Sequence, residues 1–473
     1  MADYNQLTPE LLDQLRAIVG DGNFFAGEDV NEDYSHDEMP IYGSKMPEAV
    51  VLPNSTQEVS DIMKLCNDNH IPVTVRGAGT GLCGGSTPLY GGVVLCTMNM
   101  NSIIEYDMNN LCVRIQPGVR LCDLAADALD HGLMYPPDPG EKTGSVGGNV
   151  STNAGGMRAV KYGTTRDYVL AMTVVLPSGE IMELGRAVTK TSSGYSLLHL
   201  MIGSEGTLGV ITELTMKLVP NPAEDMSFIL PFVNINAAIS AVPKIKLAGL
   251  DPQSIEFMER DIVNSSAAYL GHSVFPTNVA GNEVGGYILV TLSGNSADEL
   301  YTRAEALAEI GMEAGAFDVL VVDQPSLKKD VWAARSAFLT VIEADTKYID
   351  EMDVVVPVDK IAEFLKSVHE IGNKHGMRIR SFGHAGDGNL HIYCCSNTKT
   401  EEEFKKCAEL VMIDSYKKCA ELKGQVSGEH AIGHAKKQYL RESVGETAYG
   451  LMGSIKQIFD PNTILNPGKV CND

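Results

Sequence analysis

Arg76-Gly77-Ala78-Gly79-Thr80-Gly81-Leu82-Cys83-Gly84-Gly85-Ser86 is the stretch that decides the fold. It follows the run Ile71-Pro72-Val73-Thr74-Val75, whose β-branched residues read as a strand. So many glycines cost conformational entropy, so the loop needs a reason to keep them. Close approach of backbone N–H groups to a phosphate is one, because Cβ atoms would block it. A tight structural turn is the plainer explanation for one such loop. A nicotinamide site of the Rossmann type fits poorly: the GxGxxG spacing from Gly77 puts Leu82 where the third glycine belongs. Nor does an acidic residue stand about 20 residues further on to hold a ribose, Glu105 coming too late.

Two more glycine-rich elements lie downstream. One is Gly144-Ser145-Val146-Gly147-Gly148-Asn149 with Asn153-Ala154-Gly155-Gly156, running on to Gly163, Arg166 and Asp167. The other is Gly203-Ser204-Glu205-Gly206-Thr207-Leu208-Gly209. Three such turns suit a long ligand, such as a dinucleotide threaded between two subdomains. Around them the pattern alternates strands and helices. Residues 8–20 read as a helix capped by Thr8, with Pro9 at its first position and Gly20 beyond its end. The acidic stretch Glu28 to Glu38 reads as a solvated loop, and Ser55 to Asn69 as a helix with a capping-box start. Tyr168 to Leu184 reads as one strand segment. Prolines 220, 222 and 231 mark a boundary near 220. Beyond it come amphipathic helices around 236–247, 297–315, 358–376 and 401–423, separated by strands, and a helical tail from about 436. This is an α+β pattern.

The whole-chain numbers narrow the function classes. At 473 residues the chain is long enough for two or three domains. A net charge of −24 argues against a nucleic-acid partner, and an anionic substrate would need a locally basic pocket. No basic-then-apolar signal opens the sequence and no apolar run reaches spanning length, so a cytoplasmic location without a transmembrane segment is expected. The ten cysteines show no CxxC spacing, which excludes ferredoxin-type clusters and suggests reduced thiols.

A second chemical feature is the pair Ser381-Phe382-Gly383-His384-Ala385-Gly386-Asp387-Gly388-Asn389-Leu390-His391 and Ser427-Gly428-Glu429-His430. A tight turn between His384 and His391 would make a hairpin that brings both imidazoles to one point. Two imidazoles and a carboxylate with an open position suit Zn²⁺, Fe²⁺ or Mn²⁺. On spacing alone a surface hairpin also remains open. Asp387 reads as a turn residue; Asn389 reads as either turn or site.

These motifs together resemble the FAD-dependent D-2-hydroxy acid dehydrogenases, a branch of the vanillyl-alcohol oxidase and p-cresol methylhydroxylase superfamily. The branch includes D-lactate dehydrogenase, the flavin subunit of glycolate oxidase and D-2-hydroxyglutarate dehydrogenase. The resemblance runs from about 45 to the C-terminus. It implies an N-terminal helical segment (1–44), a two-subdomain FAD-binding domain of the p-cresol methylhydroxylase type (45–220), and an α+β cap with an antiparallel sheet (221–424). A C-terminal segment (425–473) would return to the FAD domain and complete the site.

By this resemblance Arg76, Gly77, Ala78, Gly79, Thr80, Gly81, Gly84, Gly85 and Ser86 cradle the FAD pyrophosphate. Pro137, Asp138, Ser145, Gly148, Asn149, Asn153, Gly155, Gly156 and Gly163 line the rest, with Gly206, Val210 and Ile211 near the adenine. Some relatives carry a histidine bonded to the flavin; none occurs between 71 and 130, so non-covalent FAD is expected. The resemblance also implies His384, His391 and Glu429 as ligands of a divalent metal, His430 as catalytic base, and Arg335 as a substrate-carboxylate cation; Asn389 is a further candidate for binding the substrate.

Where the hydroxyglutarate enzymes hold a distal carboxylate, this chain offers Leu339, Glu351 and Tyr393, which favours a small monocarboxylate such as D-lactate or glycolate. The electrons then need an external acceptor: an electron-transferring flavoprotein, as in bifurcating lactate dehydrogenase complexes, or an iron–sulfur subunit. A D-2-hydroxyglutarate-type dehydrogenase, a non-catalytic flavin relay subunit and a metal-dependent hydrolase are the competing readings.

Overall fold

The computed structural model describes residues 4–471. The chain forms two compact units. The first takes the residues up to Gly155, Thr164–Asn221 and everything from Glu429 on; the second takes Gly156–Gly163 and Pro222–Gly428.

Two sheets build the first unit. Ala49–Val51, Val93–Cys96 and Val73–Arg76 run parallel, and Phe24–Ala26 pairs antiparallel with the Ala49–Val51 edge. The helix Thr56–Asp68 starts where expected: Ser55 Oγ accepts the Glu58 N–H at 3.2 Å, and the Glu58 carboxylate accepts the Asn54 N–H. Its Val59, Ile62, Met63 and Cys66 form one apolar face against Val51, Val73, Val93 and Leu95. Full burial of an aliphatic side chain contributes about 1.5–3 kcal/mol, so this face fixes the helix on the sheet.

The second sheet is antiparallel, in the order Ile103–Asp107, Cys112–Ile115, Val210–Lys217, Val169–Val175, Ile181–Gly185. The expected single strand from Tyr168 to Leu184 is therefore a hairpin. Pro177-Ser178-Gly179 breaks it, with Gly179 at φ +85°, a conformation that a β-branched residue would strain to adopt. No helix among the described residues is long and apolar enough to cross a membrane.

The second unit is built on one seven-stranded antiparallel sheet. Its order is Leu320–Val322, Glu224–Phe232, Gly286–Gly294, Ser254–Glu259, Arg378–His384, Asn389–Ser396, Tyr348–Val355. The four expected helices appear as Ile235–Leu247, Ala297–Glu313, Ile361–Lys374 and Glu401–Glu421. Two of them meet one face of the sheet, Gly311 against Leu230 and Gly372 against Ile379. Side chains alternate along a strand, so Ile229 and Phe382 face the other way. That other face is covered by Arg260–Leu270, Pro325–Ser336 and Phe338–Asp345, through Ile262, Val331, Ala334, Phe338 and Ile342. The first and last of these three are absent from the sequence reading, because runs this short carry too few turns for a clear helical period.

Candidate active site

In the first unit the three glycine-rich elements converge. A Cβ on Gly77 would lie 2.2 Å from Ser145 Oγ, so the first loop and the second cluster meet where only glycine fits. Gly144 sits against Thr80 in the same seam. The third element is tied to the second by Glu205 N–H to Ser151 O (2.8 Å) and Gly203 N–H to Val150 O (3.0 Å), and Gly206 packs on Val75 at the foot of the first loop. Ser145 caps the helix Val146–Thr152 by accepting the Gly148 N–H. Asn153 closes that helix in the left-handed region, and its Oδ1 accepts from the Arg166 N–H at 2.9 Å and the Thr164 hydroxyl at 3.1 Å.

Arg76 donates to His36 O and Ser86 Oγ, and its guanidinium fills the space where Gly79 has no side chain. Asp138 is bridged by Lys142. Val210 and Ile211 are buried opposite Val175 and Val174 in the antiparallel sheet. Gly156 and Gly163 fall in the short segment that clusters with the second unit.

The C-terminal segment is stitched into this cradle. The Glu205 carboxylate accepts the N–H groups of Ile432 (2.9 Å) and Gly433 (2.7 Å), and Cys83 O accepts those of His434 and Ala435. Asn466 donates to Glu205 O and accepts the Val75 N–H. Lys469 is fully buried, with Asp37 and Glu205 as its nearby charges, and burial pushes its ammonium down to about 7. Burial likewise raises Glu205 above the usual carboxylate range, opposed by its N–H donors. The sequence reading missed Glu205, Asn466 and Lys469. A charged residue inside a glycine turn, and Asn-Pro-Gly-Lys near the chain end, were the available signals. Glu429 also lies in this unit, against Gly155, where a Cβ would come 2.8 Å from its Oε2; His430 Nε2 is 3.8 Å from Glu429 Oε1.

The second unit holds the two histidines of the hairpin. Arg378–His384 and Asn389–Ser396 are adjacent antiparallel strands, with His384 opposite Asn389 and Phe382 opposite His391. His384 and His391 are therefore diagonal neighbours on one face, and their Nε2 atoms are 3.3 Å apart. Both are buried. Asp387 accepts the Asn389 N–H and shapes the turn. His384 Nδ1 contacts Glu256 Oε1 at 2.7 Å, and Arg335 donates to Glu256 Oε2 through Nη2 (2.6 Å) and Nε (3.1 Å).

Burial alone would raise the Glu256 carboxyl, but His384 and Arg335 outweigh it and hold it below its ordinary value. The Arg335 guanidinium also lies over the Phe382 ring, 4.7 Å from its centroid. Asn389 gives its side-chain N–H groups to Asp353 and Val354 O. Glu351 is buried opposite Tyr393, and both Tyr393 and Leu339 belong to the apolar cluster beneath Arg335.

The two imidazoles fit a metal. Nitrogens bound at 2.0–2.1 Å to a tetrahedral ion lie roughly 3.3–3.4 Å apart. The same distance also suits an N–H···N hydrogen bond, which needs a proton on one Nε2; with both Nε2 atoms unprotonated the pair is ligand-ready instead.

Comparison with known proteins gives the family. Residues 221–470 match the model for the C-terminal domain of FAD-linked oxidases, and 47–185 match an FAD-binding domain. A D-lactate dehydrogenase of Anaerostipes hadrus is 54% identical over 468 residues, covering 99% of this chain and 98% of its own. The chain belongs to the FAD-dependent D-2-hydroxy acid dehydrogenase family. A glycolate oxidase subunit of Bacillus subtilis (strain 168) is 36% identical to this family member, covering 98% and 97% of the two chains. Its fold is that of p-cresol methylhydroxylase, with a TM-score of 0.80 at 17% identity over 98% of this chain and 96% of that one. This dehydrogenase-family chain thus carries the α+β architecture read from the sequence, including the return of its C-terminal segment to the first unit.

Proposed function

We propose that the protein is an FAD- and metal-dependent dehydrogenase that oxidises D-lactate, and glycolate next, to the 2-oxo acid. FAD is held non-covalently in the first unit's glycine cradle. The observation that carries the metal is the convergence of His384 and His391 Nε2 at 3.3 Å in a buried site. The 54% identical D-lactate dehydrogenase supports the substrate.

Bound FAD supplies the acceptor for the α-hydrogen and its two electrons, and a bound divalent ion (Zn²⁺, Fe²⁺ or Mn²⁺) supplies a Lewis acid. His384, His391 and Glu429 hold the ion. His430, as a neutral imidazole, accepts the hydroxyl proton of the substrate. Arg335 supplies positive charge for the substrate carboxylate while neutralising Glu256, and Asn389 stands beside the substrate through its hold on Asp353. Buried Glu351 repels a second carboxylate and Leu339 offers it no hydrogen bond, which supports a monocarboxylate over 2-hydroxyglutarate.

The ten cysteines of the sequence show no iron–sulfur cluster spacing, which supports an external electron acceptor. An electron-transferring flavoprotein in a bifurcating lactate dehydrogenase complex is the first candidate and a separate iron–sulfur subunit the second, in the cytoplasm. The test is anaerobic mixing of FAD-loaded protein with D-lactate, L-lactate, glycolate and D-2-hydroxyglutarate. D-Lactate should bleach the flavin fastest, and chelation should slow bleaching until metal is returned. Bleaching by neither D-lactate nor glycolate would overturn the assignment, and indifference to chelation would remove the metal.

A further inference from the structure

We propose that Glu256 and Asp353 are positioning residues: Glu256 locks the imidazole of His384 and Asp353 biases that of His391, so that both Nε2 lone pairs are turned to one point, where a divalent ion binds. This rests on the metal reading above and adds to it the groups that set the ligand geometry. Neither acid belongs to the histidine motifs, and both come from other strands of the same sheet.

The register of the sheet makes the arrangement. Glu256 stands directly opposite His384 in the ladder between Ser254–Glu259 and Arg378–His384. Asp353 stands directly opposite His391 in the ladder between Tyr348–Val355 and Asn389–Ser396. Each histidine therefore has a carboxylate as its cross-strand partner on the same face, where side chains lie closest. Both carboxylates are fully buried. Glu256 Oε1 is 2.7 Å from His384 Nδ1, which requires the proton on Nδ1 and leaves Nε2 with its lone pair. On His391, Nδ1 lies 3.8 Å from Asp353 Oδ1, and a carboxylate oxygen of Glu351 lies within 4.8 Å of a ring nitrogen. The buried Asp353 carboxylate on that side favours a proton on Nδ1, which again leaves Nε2 as the ligand atom.

Both acids are held in place by other donors, which favours a supporting role over ligation. Glu256 accepts from His384 on one oxygen and twice from Arg335 on the other. Asp353 accepts from Asn389 Nδ2 at 2.6 Å on Oδ1, and from Ser427 Oγ (2.9 Å) and Gly428 N–H (3.0 Å) on Oδ2. A carboxylate with each oxygen engaged by a fixed donor cannot swing onto an ion without stranding those donors. Gly428 is part of the same clamp: a Cβ there would come 2.0 Å from Asn389 Nδ2.

The test is Zn²⁺ affinity by chelator competition on wild type, Glu256→Gln, Asp353→Asn and His384→Ala, with the ring-nitrogen shifts of the metal-free proteins read by NMR. Wild type should bind Zn²⁺ and show Nδ1–H imidazoles; His384→Ala should lose the ion. Glu256→Gln and Asp353→Asn should bind about 10- to 100-fold more weakly, as loss of outer-shell partners does. If Glu256→Gln folds poorly because Arg335 is stranded, the double variant Glu256→Leu/Arg335→Met removes both charges and should show the same weakening. Wild-type affinity and unchanged tautomers in the acid variants would overturn the positioning role while leaving the metal site standing. No Zn²⁺ uptake by wild type would instead overturn the metal reading beneath it.

Discussion

Arg335 shows what a single residue owes to its surroundings. Resemblance gave it the substrate carboxylate. Its guanidinium, however, spends two donors on Glu256, a residue 79 positions away. That pairing forms only after Ser254–Glu259 is laid beside Arg378–His384, so no local pattern announces it. His384 and His391 were legible because seven residues with a glycine turn fold on themselves. Arg335→Met should therefore do two things. It should raise KM for D-lactate, and it should destabilise the protein by up to about 3–5 kcal/mol, because buried Glu256 would lose its guanidinium and keep only His384. Urea melts and steady-state kinetics separate the two effects; unchanged stability would mean that His384 alone balances Glu256. His430→Ala tests the base. It should keep FAD and metal by absorbance and elemental analysis while flavin bleaching by D-lactate falls by at least about 100-fold, the usual contribution of a positioned base. Undiminished bleaching would remove His430 from the role.

Among elements, the C-terminal helix Glu446–Phe459 and the turn after it hold the glycine cradle from outside. Lys456 is buried and donates to Asp460, to Thr207 O at 2.7 Å in the third glycine element and to Leu465 O at 2.8 Å. Asp460 in turn accepts the N–H groups of Ile464 and Leu465. One ammonium thus joins a helix end, a glycine turn and the strand-like tail that pairs with Val73. Lys456→Met should destabilise the protein by about 3–5 kcal/mol by leaving Asp460 buried without its cation. Chemical denaturation would show it, and the double variant Lys456→Met/Asp460→Leu should recover part of the loss. The helix itself was readable from its period. Its anchoring was not, because Thr207 and Lys456 are 249 residues apart and meet only through the fold. Short elements escaped for the opposite reason: Arg260–Leu270 and the hairpin turn at Pro177 lie at the limit of what a periodic pattern can carry.

For the molecule as a whole, the first unit is assembled from three separated pieces of chain, and several buried charges secure it. Its global stability should carry their signature in its pH dependence. Lys469 has its ammonium pushed down to about 7 by burial, against Asp37 and Glu205, with Lys436 and His434 also charged or titratable neighbours in the same region. In the unfolded chain a lysine stays protonated up to about 10.4. Between these values the unfolded state binds one proton more than the folded state, so stability rises with pH. Below about 7 both states are protonated and the contribution is flat at its minimum. The slope above it is about 1.4 kcal/mol per pH unit for one proton. Exposed carboxylates are ionised by pH 7 and add no slope there. Glu205 and Asp37, both raised by burial, oppose the climb, because the folded state holds their protons to higher pH than the unfolded chain does. Urea melts of the FAD-free protein from pH 6 to 9 should therefore show stability climbing above neutrality. Lys469→Met should remove most of that climb. An identical climb in Lys469→Met would assign the proton to another group.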